Sequence, residues 1–525
     1  MASSANTEEY QLAPTSAGRR SATAVTKSVY LLAVLAVFIH FLFNRQYGYF
    51  RDELYYAACG EHLAWGYVDH APLVAFVSAF TRKLFGDSLF ALRLLPALSA
   101  APKVLLAGWM AREVGGGKFS QFFAALLVLL APIYLTFDNF LSMNAFEPVF
   151  WMLCAAIVLR ILNGGSPRLW LLFGAVAGLG LLNKHSMLFF GSGLAVGLLL
   201  TPARAQFARV EIWLGAAIAL LIFVPNLLWE IRHGYPTIAL LHTVIGSKYT
   251  TVSPLSFIAE QFLLVNPLTA PVWLAGLWFF LADKRGRKYA VPGIAYLVVL
   301  LEMLLLHGKI YYLAPAYIVL LAAGAVAWDE QIFSRAKSWL RPLVVAPLVV
   351  SGMVAAPLAM PILPVATAVK YCRFFGVQDV KVENVPLDSL PQLFGDMFGW
   401  PEQVQAVFRA FHSLSAEEQS RAALLAYNYG EAGAIDYLGK PYGLPKAISG
   451  HNQYGYWGPR GATGEVVIAI GFAKSRLDQS FADVQPFEAV RPAYALPEES
   501  GLTIYICRRP RQDLAASWDS WMYLD

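Results

Sequence analysis

The chain has 525 residues, of which 57% are hydrophobic and only 14% are charged, whereas a soluble globular chain carries roughly a quarter charged residues. This composition argues against a soluble enzyme and is typical of an integral membrane protein with room for one further domain. The net charge of +5 is small for this length, and no run of Lys and Arg is long enough to form a basic face for nucleic acid.

The N-terminal residues 1–27 are polar, and they predict a disordered cytoplasmic tail. The apolar run that follows lacks a small-residue cleavage site, so it predicts a retained helix rather than a cleaved signal peptide. Apolar runs near the bilayer-crossing length of about 20 residues recur along the chain. They predict about eleven spans, near residues 28–45, 92–111, 119–136, 144–162, 169–183, 187–202, 211–230, 257–281, 289–306, 311–328 and 342–361.

The orientation follows from the basic residues in the connections, which mark the cytoplasmic side. One side collects Arg19 and Arg20, then Arg112 and Lys118, Arg160 and Arg168, Arg204 and Arg209, the 284–288 cluster, and the basic residues between 335 and 341. The opposite side holds a long loop, residues 46–91, which we call the first loop. An odd number of spans also places everything after about residue 362 outside the cytoplasm.

Residues 362–525 are less apolar and predict a small α/β domain. Strands are expected at 422–426, 465–470 and 502–507, with a helix at 430–438. Cys372 and Cys507 both fall in this domain. A disulfide between them and two separate buried thiols are equally consistent with the sequence.

The first loop combines charged, aromatic and amphipathic segments. Apolar residues at 73, 76, 77, 80 and 84 predict a helix on the membrane surface, and residues 53–65 predict a second one. Asp52 and Asp69 precede these helices, where a carboxylate commonly serves as an N-cap. A catalytic base at the membrane face is the alternative for Asp52, and the two roles are compatible.

A second polar turn follows the third predicted span and contains Asp138, Asn144 and Glu147. Asn144 and Glu147 have the spacing of a capping box. Glu147 also lies near the membrane boundary, where an ionisable side chain suggests a function.

Two lysines, Lys184 and Lys309, are predicted on the outer face, against the charge rule that sets the orientation. Snorkelling from a helix end would explain them. An anionic lipid headgroup such as a phosphate would also explain them, because it needs a cation on that side.

Four segments together resemble the integral membrane glycosyltransferases of the C fold, specifically family 39. The match begins at Asp52–Tyr56 (Asp-Glu-Leu-Tyr-Tyr) and continues at Asp69–Leu73 (Asp-His-Ala-Pro-Leu). It resumes at 144–151, which ends in Phe-Trp, and closes at 309–317 (Lys-Ile-Tyr-Tyr-Leu-Ala-Pro-Ala-Tyr). At the second acidic site the family's Asp aligns with Asn144, so Glu147 or Asp138 is expected to take its role.

The resemblance implies a polytopic helix bundle of the C fold over residues 28–361, with a C-terminal extracytoplasmic α/β domain. It implies transfer of a sugar from a polyprenyl-phosphate donor to a lipid, glycan or protein acceptor at the outer face of a bacterial cytoplasmic membrane. The bundle is expected to hold the prenyl chain among membrane lipids, and no nucleic acid is involved. A transporter or lipid flippase is the alternative; it would place ionisable residues near the bilayer midplane.

The chemistry then assigns roles to the residues already named. Asp52 is the expected base for the acceptor hydroxyl, and Glu53, Asp138 and Glu147 are the other catalytic carboxylates. Lys184, His70 and Lys309 are expected to stabilise the departing phosphate. The remaining substrate-binding candidates are Tyr55, Tyr56, Asp69, Asn144, His185, Tyr311 and Tyr312. No metal ligand is expected, a divalent cation is left open, and neither the sugar nor the acceptor can be read from the sequence.

Overall fold

The computed structural model describes residues 24–244, 253–333, 339–380 and 383–525, so most of the predicted N-terminal tail lies outside the described residues. Up to residue 359 the chain is a bundle of helices joined by short turns and by the first loop. The helices are α1 (Lys27–Phe43), α2 (Arg51–Glu61), α3 (Leu73–Phe85), α4 (Leu89–Glu113), α5 (Lys118–Leu129), α6 (Pro132–Phe137), α7 (Met143–Leu162), α8 (Leu169–Asn183), α9 (Met187–Leu199), α10 (Val210–Arg232), α11 (Pro236–Val244), α12 (Pro254–Leu264), α13 (Ala270–Leu281), α14 (Ala290–Leu305), α15 (Tyr317–Trp328) and α16 (Leu340–Ala359).

The chain is a multi-pass membrane protein. Within the described residues, six helices are long and apolar enough to cross a bilayer, or up to eight if each of two bent pairs is one span. The predicted spans at 28–45, 119–136 and 169–183 correspond to shorter apolar helices of 17, 12 and 15 residues. The predicted positions are therefore helical, but the count of eleven is not confirmed.

The predicted span at 257–281 is not one helix. It consists of α12 and a second helical segment that begins at Pro267, and the two axes are bent by 92°. Asn266 lies at the break with a φ of 84°, and its side chain accepts a hydrogen bond from the Leu268 N–H. A residue before proline avoids the helical conformation, so the Asn-Pro pair explains why one apolar run forms two helices.

Small residues allow some of the helices to pack backbone against backbone. A Cβ on Gly174 in α8 would lie 2.0 Å from the carbonyl oxygen of Gly215 in α10. A Cβ on Gly276 in α13 would lie 1.9 Å from the carbonyl oxygen of Leu320 in α15. Such close approaches are typical of helix pairs in membranes, where small side chains increase the packing contact.

The two helices predicted in the first loop are present as α2 and α3. The amphipathic segment 73–84 forms α3, and the segment 53–65 forms most of α2. The capping predictions are wrong, because Phe50 is the N-cap of α2 and Pro72 is the N-cap of α3. Asp52 thus lies in the first turn of α2, and Asp69 precedes α3 by several residues.

The C-terminal α/β domain contains the remaining elements. Its helices are α17 (Val365–Phe374), α18 (Gln392–Gly395), α19 (Trp400–His412), α20 (Ala416–Arg421), α21 (Tyr429–Leu438), α22 (Asn452–Trp457) and α23 (Lys474–Ser480). Its strands are β1 (Ala422–Ala426), β2 (Ala447–Ile448), β3 (Val466–Ile470), β4 (Phe481–Val490) and β5 (Leu502–Pro510), in the sheet order β2-β1-β3-β5-β4. β1 is parallel to β2 and β3, whereas β5 is antiparallel to β3 and β4.

The predicted disulfide is absent, and the alternative of two separate thiols holds. Cys372 is buried in α17 against Leu390 and Phe394. Cys507 is buried in β5, in a different hydrophobic cluster that includes Val467. The two side chains serve different cores, so neither closes the domain.

Candidate functional site

The helix α2 is fixed to the bundle by Glu53. The side chains of Glu53 and of Arg93 in α4 are both fully buried, and the Arg93 Nη2 lies 2.7 Å from Glu53 Oε2. The same carboxylate accepts hydrogen bonds from the backbone N–H groups of Phe50 and Leu141, each at 2.9 Å. A carboxylate with these partners anchors the first loop, so its surroundings favour a structural role over the catalytic role predicted for it.

Asp52 and Asp69 lie at two ends of a stacked pair of tyrosines. Tyr55 stacks on Tyr429 of α21, with ring centroids 4.6 Å apart. The Tyr429 hydroxyl donates to Asp52 Oδ1 at 3.0 Å, and the Tyr55 hydroxyl donates to Asp69 Oδ1 at 2.8 Å. Asn452 of α22 also donates to Asp69, at 3.3 Å. The C-terminal domain therefore contributes side chains to a part of the site whose predicted residues all lie in the first loop.

Tyr56 and His70 lie beside this pair. The Tyr56 ring is 5.0 Å from the His70 ring, and His70 stacks on Tyr67 at 4.5 Å. Burial, and then the negative charges of Asp52 and Asp69, raises the pKa of the Tyr56 hydroxyl well above its ordinary value. Tyr56 is therefore protonated and can act only as a neutral hydrogen-bonding group.

His70 is a poor candidate for a cation. Burial lowers the pKa of its imidazole below the ordinary value, although Asp69 opposes this shift. Its Nδ1 lies 2.9 Å from the carbonyl oxygen of Ala71, which can only accept, so Nδ1 carries the proton. A neutral ring with this tautomer presents Nε2 as an acceptor rather than as a positive charge for a phosphate.

Four of the predicted residues contact the ammonium group of Lys184. Lys184 lies in the turn between α8 and α9 and donates to Asn144 Oδ1 at 2.8 Å and to Glu147 Oε2 at 2.9 Å. The ammonium is 4.4 Å from the centroid of the Tyr312 ring and 5.4 Å from that of Tyr311, within the range of a cation–π contact.

The capping box predicted for Asn144 and Glu147 is wrong. Ser142 is the N-cap of α7 and accepts from the Asn144 N–H. Ser142 serves as the cap, and the Glu147 carboxylate accepts hydrogen bonds from Lys184 and from the Ser186 hydroxyl instead.

His185, the residue after Lys184, contacts a different helix. Its Nε2 lies 2.9 Å from Asn226 Oδ1, and Asn226 in turn donates to the Trp65 carbonyl at 2.7 Å. His185 thus links α10 to the first loop.

Asp138 forms an ion pair inside the bundle with Lys103 of α4, and both side chains are almost fully buried. The hydroxyl of Ser99 donates to the same carboxylate at 2.9 Å. These contacts hold the turn after α6 against α4, so they favour a structural role for Asp138 as well.

Arg51 connects the bundle to the C-terminal domain, and nothing in the sequence analysis singled it out. Its guanidinium forms ion pairs with Glu383 at 3.3 Å, Asp396 at 3.5 Å and Glu498 at 2.9 Å. Glu383 also pairs with the predicted phosphate ligand Lys309, at 3.1 Å. The only local signal was the position of Arg51 beside Asp52, since its partners lie more than 330 residues away in the chain.

Burial raises the pKa of the Asp396 carboxyl to about 7, although the Arg51 guanidinium opposes the rise. Among the residues that the structure describes, no group of three or more His, Cys, Asp or Glu side chains is arranged to hold a metal ion.

The comparisons agree with the architecture and, by sequence, with two of the four motif segments, those at 69–73 and 144–151. Residues 69–229 match the family model described as dolichyl-phosphate-mannose-protein mannosyltransferase. Over 246 residues the chain is 27% identical to the lipid A galacturonosyltransferase RgtD of Rhizobium johnstonii, an alignment that covers 46% of this chain. The alignment spans about half of that relative's length, 50%.

Two solved structures extend the similarity to almost the whole chain. The structure of ArnT from Cupriavidus metallidurans bound to undecaprenyl phosphate has a TM-score of 0.62 at 16% identity, covering 92% of this chain and 98% of that one. The structure of the same protein in the apo state gives 0.60 at 15% identity, covering 91% and 97%. The chain has the fold of these C-fold membrane proteins. The resemblance to glycosyltransferase family 39 that the motifs predicted is confirmed.

Proposed function

We propose that this protein is a membrane glycosyltransferase that moves a sugar from a polyprenyl-phosphate donor to an acceptor hydroxyl. The observation that carries the proposal is the position of Asp52 and Lys184, an acid and a cation, within the region that has the C fold and its motifs. The curated relative is a lipid A galacturonosyltransferase, and one of the similar structures holds undecaprenyl phosphate. These similarities favour the transferase over the transporter or flippase.

Asp52 acts as the general base. The acceptor oxygen attacks the anomeric carbon, the bond between that carbon and the donor phosphate oxygen breaks, and the acceptor proton passes to the Asp52 carboxylate. Attack on the face opposite the phosphate inverts the anomeric configuration. A positioned base of this kind typically contributes about 10² to 10⁴ in rate.

Lys184 and Lys309 receive the lipid phosphate that departs. Its negative charge grows as the glycosidic bond breaks, so fixed cations lower the energy of the transition state more than that of the bound donor. In the structure their charges are balanced by Glu147 and Glu383, respectively. An incoming phosphate competes with these carboxylates, and it can form the stronger interaction because it presents several anionic oxygens.

The aromatic residues bind the sugar and the adjoining lipid. Tyr311 and Tyr312 lie against the Lys184 ammonium, so a phosphate held there places its sugar beside their rings. Tyr55 and Tyr56 lie near the base, where the acceptor enters. We assign Asp69, Asn144 and His185 to this substrate-binding shell, and the acceptor to a lipid, a glycan or a protein.

We also propose that the site opens to the outer face of a bacterial cytoplasmic membrane, with the N-terminus in the cytoplasm. In this arrangement residues 28–361 form the transferase domain and residues 362–525 an extracytoplasmic domain. Single cysteines introduced at the exposed positions Lys284 and Lys474, in a background without the four native cysteines, test the orientation. A membrane-impermeant maleimide added to intact spheroplasts should label Lys474→Cys only; labelling of both or of Lys284→Cys alone would overturn the orientation.

The transfer itself is tested with purified full-length protein in lipid nanodiscs. The donors are radiolabelled polyprenyl-phosphate sugars, including galacturonosyl, aminoarabinosyl and mannosyl forms, and the acceptors are a lipid A precursor, a glycan and a serine-containing peptide. We expect label in at least one acceptor and free polyprenyl phosphate in equal amount. Absence of transfer from every donor, together with no saturable binding of polyprenyl phosphate, would refute the proposal.

A further inference from the structure

Two segments of the C-terminal domain, Asn428–Gly433 and Ser449–Gln453, contact the first loop. The first begins α21, with Asn428 as the N-cap: its side chain accepts from the Glu431 N–H, and the Glu431 carboxylate accepts from the Asn428 N–H. This reciprocal pair fixes where the helix begins. It therefore also fixes the direction in which Tyr429, the first residue of the helix, projects.

Two glycines let α21 approach the backbone of α2. A Cβ on Gly433 would lie 2.8 Å from the carbonyl carbon of Leu54, and a Cβ on Gly430 would lie 2.7 Å from Cγ of Arg51. Both distances are too short for a real Cβ, so a larger residue would force the two helices apart. The C-terminal domain is thus fitted closely to the helix that carries Asp52.

Tyr429 occupies the centre of this contact. Its ring stacks between Tyr55 and His451, with centroids 4.6 Å away on each side. Its backbone N–H donates to His451 Nδ1 at 3.2 Å, which holds the histidine ring in place. With the ring fixed on both faces, the hydroxyl has one direction, toward Asp52 Oδ1 at 3.0 Å.

We propose that Tyr429 is the positioning residue for the catalytic base, so that the C-terminal domain completes the active site. The inference rests on the proposed function, since it gives Asp52 the role of base. The hydroxyl orients the carboxylate and stabilises its ionised form, which must be present before the acceptor proton can be removed.

Tyr429 retains its own proton throughout the reaction. Burial, followed by the charge of Asp52, raises the pKa of its hydroxyl well above the ordinary value. It consequently acts as a donor to Asp52 and does not compete for the acceptor proton.

The test is Tyr429→Phe in the full-length protein in nanodiscs, because this change removes the hydroxyl and keeps the stacked ring. We expect kcat to fall about tenfold, in the range seen when a hydrogen bond to a charged group is removed, while KM for the donor stays within twofold. The acidic limb of the kcat/KM profile should move to higher pH, because a carboxylate that loses a donor binds its proton more tightly.

Tyr454→Phe is the matched control. Tyr454 is buried in α22 and its hydroxyl donates to a different carboxylate, Asp436, at 3.0 Å. The Tyr454→Phe substitution removes the same kind of hydrogen bond within the same domain but leaves the hydrogen bond to Asp52 intact. The kcat and the pH profile should therefore stay as in the wild type. A second variant, Gly433→Ala, changes none of the site's side chains chemically but moves α21, and Tyr429 with it, away from α2. It should reproduce the loss of kcat.

Wild-type kcat and an unmoved pH profile in Tyr429→Phe would overturn the inference, and so would an equal loss in Tyr454→Phe. If Tyr429→Phe does not fold, normal turnover by Gly433→Ala overturns it instead. Each of these outcomes would leave the proposed function standing if the wild-type protein transfers sugar and the Asp52→Asn variant does not. A wild type inactive with every donor removes the proposed function and this inference together.

Discussion

Replacing Asp52 by Asn separates a catalytic role from a structural one, because the structure shows what the carboxylate contributes to folding. Asp52 lies in the first turn of α2 and accepts a hydrogen bond from Tyr429. Asn keeps an oxygen for that bond. A negative charge at a helix N-terminus stabilises by about 0.3–1 kcal/mol, and the hydrogen bond becomes weaker by about 1 kcal/mol when its acceptor is neutral.

The expected loss of stability is therefore about 1–2 kcal/mol, which leaves a protein of ordinary stability almost entirely folded. Loss of a general base should lower kcat by about 10² to 10⁴, equivalent to about 3–5 kcal/mol in the activation barrier. Incomplete folding cannot account for a loss of that size.

The assay measures single-turnover transfer from a labelled polyprenyl-phosphate sugar, with donor binding measured separately. We expect donor binding to be unchanged and transfer to fall at least a hundredfold. Glu61→Gln is the matched control: Glu61 is the last residue of α2 and pairs with Arg82 at 2.8 Å, and its loss should leave transfer intact. Turnover by Asp52→Asn within tenfold of the wild type would refute the assignment of the base.

Three further predictions use the ion pairs of the structure. Lys184→Ala should raise the Kd for polyprenyl phosphate at least tenfold, measured by binding of a labelled lipid. The double variant Lys184→Ala/Glu147→Gln should fold as well as the wild type but bind polyprenyl phosphate no more tightly than Lys184→Ala does. Recovery of binding in the double variant would contradict the role of the lysine. Glu53→Gln should destabilise the protein by about 3–5 kcal/mol, because it leaves the buried Arg93 without a charged partner; a thermal midpoint equal to that of the wild type would contradict this. The raised pKa of Asp396, about 7, means that the folded state binds a proton more tightly than the unfolded state. The stability that protonated Asp396 contributes is complete below about pH 4, the ordinary pKa of Asp, and is lost as pH rises toward 7. Asp396→Asn should therefore make the thermal midpoint less dependent on pH between pH 4 and 8. A pH dependence equal to that of the wild type would contradict the prediction.

The sequence identified the parts of the site that are local in the chain. Asp52, Tyr55 and Asp69 lie within 18 residues of one another. Asp52 and Tyr55 are on α2, and Asp69 is in the connection before α3. Lys184 was noticed because a lysine on the predicted outer side conflicts with the charge rule. Its partners Asn144 and Glu147 were noticed for their capping pattern, which turned out to be misleading because Ser142 is the cap.

Contacts between distant segments were not readable. The hydrogen bond from Tyr429 to Asp52 joins residues separated by 377 positions, and no periodicity links them. The contact of α21 with α2 depends on how a whole domain is placed on the bundle. The break at Asn266 could have been predicted, since Asn-Pro disfavours a continuous helix. The apolar residues on both sides of it nevertheless predicted a single span.

Ion pairs hold the three carboxylates that the sequence predicts beside Asp52. Glu53 is paired with Arg93, Asp138 with Lys103, and Glu147 with Lys184, and all six side chains are largely or completely buried.

Asp52 accepts a hydrogen bond from the neutral hydroxyl of Tyr429. Asn144 stands where the family's second Asp aligns. Asn144 and Glu147 share the Lys184 ammonium between them, so in the proposed mechanism this position holds the cation for the donor phosphate, and Asp52 takes the proton of the acceptor.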